Sequence, residues 1–229
     1  MILKFFQQLD DIISYLLSSD LNEKKFLKNY FGNKKIVVVD IGTNEGSYLD
    51  FLNSIFYLKK IYSFEPINHL SDKLKKRYEN KNITVFNSGL SNQKGYRKFF
   101  EYSVSSTSSL YKQNNMYKSL KKIKSIKKIY VDRYDNFFND NNKIDICKID
   151  VQGEDFKVIQ GMIQNLKKKN IKLIKIELSF ECFYQNTKET FYDVIFFLKQ
   201  YNYRLISISK IKKKNQKLIF MDAYFEYKK

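Results

Sequence analysis

Apolar and polar positions follow one another along this chain in two rhythms. Short runs rich in β-branched residues occur at Ile36–Ile41 (IVVVDI), 61–64, Ile83–Phe86, Ile144–Ile149 (IDICKI), 171–178, 204–208 and 218–225. Between several of them the apolar residues recur every three or four positions. These are Leu49, Leu52, Ile55 and Phe56 within 46–58, and Leu70 and Leu74 within 68–78. Phe156, Ile159, Ile163 and Leu166 follow within 154–166, then Phe191, Val194, Ile195 and Leu198 within 187–200. Continuous or period-two runs read as strands and period-3.6 runs as amphipathic helices. Their alternation predicts βαβ units, an α/β fold and a mostly parallel sheet.

Two stretches break the alternation. Residues 1–30 read as one or two helices ahead of the first strand, a helical extension to a single domain over 31–229. Residues 92–135 are long for a crossover and carry no clean helix. They hold GYRKFFEYS, which reads as a hairpin strand, then the polar SVSSTSSLY, then the basic KSLKKIKSIKK. Together they predict an insertion lying over an edge of the sheet, and long connections of this kind carry substrate contacts or move. The basic run at 118–128 reads more readily as a solvated face than as a binding patch.

Composition narrows the class. With 229 residues, 43% apolar and 17% aromatic, the chain can bury a core as one sizeable domain, which excludes wholesale disorder. Two cysteines make no disulfide framework, and no CxxC or His-rich cluster offers a structural zinc site; Cys147 and Cys182 read as free thiols in a reducing cytoplasm. No run reaches the roughly 20 apolar residues that span a bilayer. The opening MILKFFQQLDDIISYLL is interrupted by Gln7, Gln8, Asp10 and Asp11 and no small-residue cleavage site follows, so an amphipathic helix is a better reading than a signal peptide. A net charge of +18 invites a polyanionic partner. Against that, only four of the 42 basic residues are arginine (Arg77, Arg97, Arg133 and Arg204), the side chain that reads bases and grips phosphate with two prongs. Nucleic acid is therefore the weaker reading, and peripheral contact with an anionic membrane surface or an acidic glycan stands beside it at equal weight.

The most informative stretch is IVVVDIGTNEGSYLDFL. A buried strand ends at Asp40, turns through Gly42, Thr43, Asn44 and Gly46, and enters a helix that opens at Ser47. In a parallel sheet the ligand crevice lies at the carboxyl ends of the strands, and a following helix N-terminus presents unpaired N–H groups. A dinucleotide loop wants GxGxxG, whereas here Asn44 takes the place of the middle glycine and an acid ends the strand. That acid would repel a pyrophosphate and suits the cationic amino group of S-adenosylmethionine. The next strand ends in Glu65 and Pro66, where a carboxylate accepts hydrogen bonds from ribose hydroxyls and the proline fixes the exit. The third ends at Ser88 and Gly89, a place that would admit a flat adenine. KIDVQGEDF supplies the fourth crevice position, with Asp150 closing its strand and Gly153 before a helix whose first turn carries Glu154 and Asp155. Glu177 interrupts the apolar run KLIKIELSF. An isolated carboxylate in a buried strand costs several kcal/mol, so it belongs at the crevice rather than in the core.

These residues carry a family resemblance. VVVDIGTNEGSY, SFEP, SVSSTSSL, VDRYDNFF, KIDVQGEDFKVIQGM and IELSF, in that order and spacing, resemble the FkbM family of S-adenosylmethionine-dependent methyltransferases, and the tail FYDVIFFLKQYNYRLISI…KLIFMDAYF fits as well. The resemblance runs from about Ile36 to Phe225. It implies a class I methyltransferase (Rossmann-like) fold, a seven-stranded doubly wound sheet whose last strand is antiparallel. It further implies O-methylation of a hydroxyl on a saccharide, glycan precursor or natural product. Asp40, Gly42, Asn44 and Gly46 match the donor loop, Glu65 the ribose acid, and Asp150 with Gly153 the KIDVEG-like motif. Gln152 departs from that motif, where glutamate is common, and Gly89 stands where alanine is usual.

Methyl transfer to a sugar hydroxyl needs a base, and Asp150 and Glu177 are the two candidates. The lone His69 sits on the ribose side and reads as a partly exposed helix residue. A divalent cation between Asp150 and Glu177 lacks a third ligand, so no metal is expected. Two alternatives remain: methylation of RNA or another macromolecule, and a non-catalytic binding protein that keeps the fold.

Overall fold

The computed structural model describes residues 23–114, 122–139, 141–188 and 190–228. In chain order the elements are α1 (Glu23–Phe31), β1 (Ile36–Ile41), α2 (Ser47–Asn53), β2 (Leu58–Phe64), α3 (Asn68–Arg77) and β3 (Ile83–Phe86). There follow β4 (Gly89–Leu90), β5 (Gly95–Tyr102), β6 (Ile123–Asp132), β7 (Ile144–Ile149), α4 (Asp155–Gln160) and α5 (Ile163–Lys167). The chain closes with β8 (Ile171–Ser179), α6 (Phe191–Gln200), β9 (Tyr203–Lys214) and β10 (Lys217–Tyr227).

Seven strands form one sheet in the order β3-β2-β1-β7-β8-β10-β9. β3, β2, β1, β7 and β8 pair in parallel, and β10 runs antiparallel to both β8 and β9. The β9–β10 hairpin turns on Asn215 and Gln216, both at positive φ (50° and 64°), the backbone that a two-residue turn between right-twisted strands requires. Helices cover both faces. On one, Leu27 of α1, Leu49 and Leu52 of α2 and Leu74 of α3 pack on Val38, Ile61, Ile146 and Leu173. On the other, Val158 and Ile159 of α4, Leu166 of α5 and Val194 and Leu198 of α6 pack on Val39, Ile41, Cys147, Ile149 and Ile176. β1 is apolar but for Asp40, and β7 keeps Ile144, Ile146, Cys147 and Ile149 for the core, because each strand is sandwiched between two helical layers.

The helix expected over 154–166 is two helices. Gly161 stands between α4 and α5, and only glycine fits there: the Ser91 carbonyl oxygen would lie 2.3 Å from any Cβ, so the backbone of a neighbouring loop occupies the space a side chain would need. The strands expected at 204–208 and 218–225 extend into a longer hairpin. Of the expected helices in 1–30, α1 lies within the described residues and 1–22 lie outside them. The 92–135 segment contributes β5 and β6, which with β4 form a second, three-stranded sheet ordered β4-β6-β5. Of the basic run, 118–121 lie outside the described residues and 123–128 belong to β6.

Candidate functional site

Each site element is set at a carboxyl end of a parallel strand. After β1 the chain reverses direction at Gly42, whose φ is +78°. A Cβ there would lie 2.0 Å from the carbonyl oxygen of Asp150, so the ends of β1 and β7 touch backbone to backbone and only glycine fits. Thr43 fastens the turn: its hydroxyl donates to the Asp40 carbonyl (2.9 Å) and accepts from Ser63 (2.8 Å). Asn44 sits at φ +51°, a conformation its short amide side chain tolerates, and its buried Oδ1 has no hydrogen-bond partner. Gly46 (φ +87°) faces away from the loop's hollow, where Leu74 and Tyr78 close on it and α2 meets α3.

Glu65 leaves β2 pointing under this loop. One carboxylate oxygen accepts the N–H of Asn44 and the other that of Ile67, each at 2.8 Å. Burial pushes its carboxyl up to about 7, against the pull of those two N–H groups. The loop and the β2 end are thereby locked to one another, with oxygen lone pairs left over.

The end of β7 carries the charge that the sequence reading missed. Lys148 is nearly buried, with Nζ 3.2 Å from Asp40 Oδ1, 3.6 Å from Asp150 Oδ2 and 3.2 Å from the Gly42 carbonyl it donates to. Burial alone would lower its basicity, but Asp40 and then Asp150 hold the ammonium above its ordinary value. Asp40 is fully buried beneath the loop, so its charge is taken up by the chain's own lysine, and it is Lys148 that reaches the hollow above. Beyond Asp150 the chain takes two positive φ values in a row, at Gln152 (59°) and Gly153 (101°). The Gln152 amide donates back to Asp150 Oδ1 at 2.6 Å and accepts from the Tyr184 hydroxyl at 2.7 Å. Asp155 closes the turn by accepting the N–H groups of Val151 (3.0 Å) and Gly153 (2.9 Å). Burial, then the charge of Asp150, raises its carboxyl to about 6. Glu154 is buried too, accepting from Ser91 at 2.6 Å and from Tyr111. Glu154 thus holds side-chain partners and Asp155 backbone ones, so neither simply decorates a helix start.

A second ion-pair group lies farther along the sheet. Lys175 of β8, in register with Lys148, binds Glu23 of α1 at 2.7 Å and Asp222 of β10 at 3.0 Å, and its ammonium sits 4.5 Å from the Tyr48 ring.

These groups surround a cavity of about 380 Å³, within the size range of small-molecule sites. Of the expected residues, Gly42, Thr43, Asn44, Ser47, Glu65, Pro66, Gly89 and Asp150 border it. Asp40, Gly46 and Ser88 do not; Ser88 is buried with its hydroxyl unpartnered. Glu177 does not border the cavity either, lining instead a hollow of about 20 Å³ with Asp155 and Tyr184. Burial, then Asp150, Asp155 and Asp222, push its carboxyl well above the ordinary carboxylate range. His69 is exposed on α3. Phe99, Ile129, Val131 and Leu110 roof the cavity from the small sheet and its approach. Among the described residues no three metal-ligating side chains come together.

A sulfonium nucleoside with a polar amino-acid end, a ribose and a flat base fits this chemistry. Glu65 has spare lone pairs, Asn44 an orphaned buried oxygen, and the roof an apolar surface beside Gly89.

No curated protein matches the chain. Among solved structures it resembles a methyltransferase FkbM from Methylobacillus flagellatus KT at 15% identity and a TM-score of 0.53, over 83% of this chain and 43% of that one. It therefore spans less than half of that relative's length. It also resembles a putative rRNA-methylase from Clostridium thermocellum at 12% identity and a TM-score of 0.50, over 91% and 96% of the two chains. At these identities the likeness concerns the fold, which is that of class I methyltransferases. The sequence itself is more specific, since the methyltransferase FkbM domain matches residues 40–205, from the penultimate residue of β1 across the parallel strand ends that border the cavity. The chain belongs to the FkbM family of S-adenosylmethionine-dependent methyltransferases.

Proposed function

We propose that this protein methylates a hydroxyl of a saccharide or glycan precursor, with Asp150 as the base. One observation carries the choice of base: Asp150 borders the same cavity as Glu65, Asn44 and the Gly42 turn, whereas Glu177 does not; the hydroxyl acceptor is what the family resemblance implies. S-adenosylmethionine, when bound, supplies a methyl group on a sulfonium, the electrophile of the reaction. Glu65 would accept the ribose hydroxyls, Asn44 and Ser47 would meet the polar end of the donor, and Gly89 with the apolar roof would take the base. Lys148 neutralises Asp40 below the loop and stands against Asp150 Oδ2, while Gln152 holds Oδ1. Asp150 takes the proton of the acceptor hydroxyl as its oxygen becomes the nucleophile, and a base so positioned contributes roughly 10²–10⁴-fold. The roof excludes water from that transfer. The two free cysteines, Cys147 buried and Cys182 half-buried, suit a reducing cytoplasm.

The test is calorimetry with S-adenosylmethionine and S-adenosylhomocysteine, followed by incubation with isotope-labelled donor and separate panels of glycans and RNAs. Donor binding with label in a glycan hydroxyl is the expected result. Failure to bind either nucleoside sinks the reading. Label in RNA alone would favour the second acceptor class, which the +18 charge keeps in view.

A further inference from the structure

The small sheet has two faces with different fates. Cross-strand register puts Arg97 with Ile129 and Phe99 with Lys127 on one side, and Phe99, Ile129 and Val131 of that side enter the cavity. On the other side the pairs are Tyr96 with Tyr130, Lys98 with Lys128, and Phe100 with Ile126. This outer face serves nothing in the site. Yet four of the eight large apolar side chains left exposed among the described residues are on these two strands: Tyr96 (63%), Ile126 (52%), Ile123 (43%) and Tyr130 (37%). Clustered exposed apolar groups mark a contact surface far more than scattered ones do.

Lysine interleaves with them. Lys98 and Lys128 are exposed between the tyrosine pair and Phe100–Ile126, and Lys128 lies 5.2 Å from the Tyr96 ring and Lys98 5.4 Å from that of Phe100. The acid of β5, Glu101, pairs with Lys124 and Lys127. The carboxylate of Asp132, at the end of β6, accepts the Tyr130 hydroxyl at 3.0 Å. We propose that this outer face of β5 and β6 docks the enzyme on an anionic phospholipid surface. Lysines would meet the headgroup phosphates, and the tyrosines, Ile123 and Ile126 would enter the interface.

Single-stranded nucleic acid is the competing polyanion, and the face suits it less. Branched aliphatic side chains give bases nothing to stack on. The rings of Tyr96 and Tyr130 meet at 68° rather than forming a flat platform, and the one arginine of these strands, Arg97, belongs to the opposite side. Docking is independent of the acceptor proposed above, so its test needs no turnover.

The experiment is co-sedimentation of the full chain with phosphatidylcholine vesicles and with vesicles containing phosphatidylglycerol, at low and high salt. Binding to the anionic vesicles alone, weakened by salt, is expected. Lys98→Glu combined with Lys128→Glu should weaken it at least about tenfold, and Tyr96→Ser combined with Ile126→Ser by about fivefold or more. S-adenosylhomocysteine affinity, read by calorimetry, should stay unchanged in both variants, which separates loss of docking from loss of fold. No vesicle binding, or equal binding by the variants, overturns the proposal. So does tighter binding of single-stranded RNA that the same variants abolish.

Discussion

The two walls of the cavity are built on opposite principles. The floor is the carboxyl ends of the large sheet's parallel strands, where backbone contacts and buried ion pairs fix every group: Gly42 against Asp150, Glu65 under Asn44, Lys148 between Asp40 and Asp150, Lys175 between Glu23 and Asp222. The roof is a three-stranded sheet whose Phe99, Ile129 and Val131 pack on Ile67 and Leu70 at the start of α3 in a small separate cluster, and those side chains present an apolar surface inward. A floor of this kind aims charge but fails sharply when one partner is lost. A roof of this kind covers and desolvates, and it tolerates change by degrees.

The sharpest test of the contrast is Lys148→Met. It strands Asp40, which is 0% exposed and has neither carboxylate oxygen hydrogen-bonded, and breaking a buried pair from one side costs about 3–5 kcal/mol. Urea denaturation should register that loss. Adding Asp40→Asn should recover most of it, because the uncompensated charge goes. A single variant as stable as the parent would mean that Lys148 does not carry the floor.

Next in size is Asp150→Asn. Asparagine keeps the outline of Asp150 but offers one acceptor oxygen where Gln152 Nε2 and Lys148 Nζ are both donors; Lys148 still holds Asp40 and the Gly42 carbonyl, so donor affinity should change less than about threefold while turnover falls roughly 10²–10⁴-fold. Single-turnover kinetics with labelled donor separates the two. If Glu177→Gln lowers turnover and Asp150→Asn does not, the base sits outside the cavity and the reading of the floor fails.

Glu65 gives a smaller effect with a defined pH window. Its carboxyl lies near 7 in the fold against 4.5 in the unfolded chain, so the folded state holds the proton more tightly. Ionising it in place is unfavourable, and the ligand-free protein therefore loses stability as pH rises from about 4.5 to about 7, then levels off. The magnitude is on the order of 3 kcal/mol. Glu65→Gln should flatten that segment of the curve, so the parent's advantage over the variant shrinks as pH climbs. Parallel curves for the two proteins would show that the slope arises elsewhere.

The same contrast explains what the sequence made readable. Strand-end glycines and acids announce themselves locally. IVVVDIGTNEG sets β1, its turn and α2 without reference to the rest of the chain, and SFEP does the same for Glu65. The class of fold follows from the alternation of two periods. What stayed hidden depends on partners distant in sequence. Lys148 and Lys175 break apolar runs in KIDICKID and KLIKIEL much as Glu177 does. The cost of burying a charge, applied to Glu177, singles out both lysines equally. Only the register of β1, β7 and β8 reveals that Lys148 answers Asp40 and that Lys175 lies beside it. Glu177 illustrates the converse. Its strand position was readable, but the Gln152–Gly153 turn and Tyr184 close it off from the cavity that Asp150 borders. The roof was only partly readable: GYRKFFEYS announces the strand β5, but its partner β6 lies inside what reads as a basic run, and the pairing of β4, β5 and β6 across residues 89–132 has no local signature.

The smallest effect tests the roof itself. Ile129 is 8% exposed, packs with Phe99 and Val131, and borders the cavity, so Ile129→Val removes one methylene from a core of few members. Such a deletion costs about 0.5–1.5 kcal/mol. If the roof opens as a unit separate from the large sheet, that cost appears locally, because exchange of buried amides follows the free energy of the smallest opening that exposes them. Amides of β5 and β6 should then exchange roughly twofold to tenfold faster in the variant. Those of β1 and β7, held between two helical layers, should keep their rates. Equal acceleration in both sheets would mean that floor and roof unfold together, and the division between a rigid floor and a yielding roof would have to be given up.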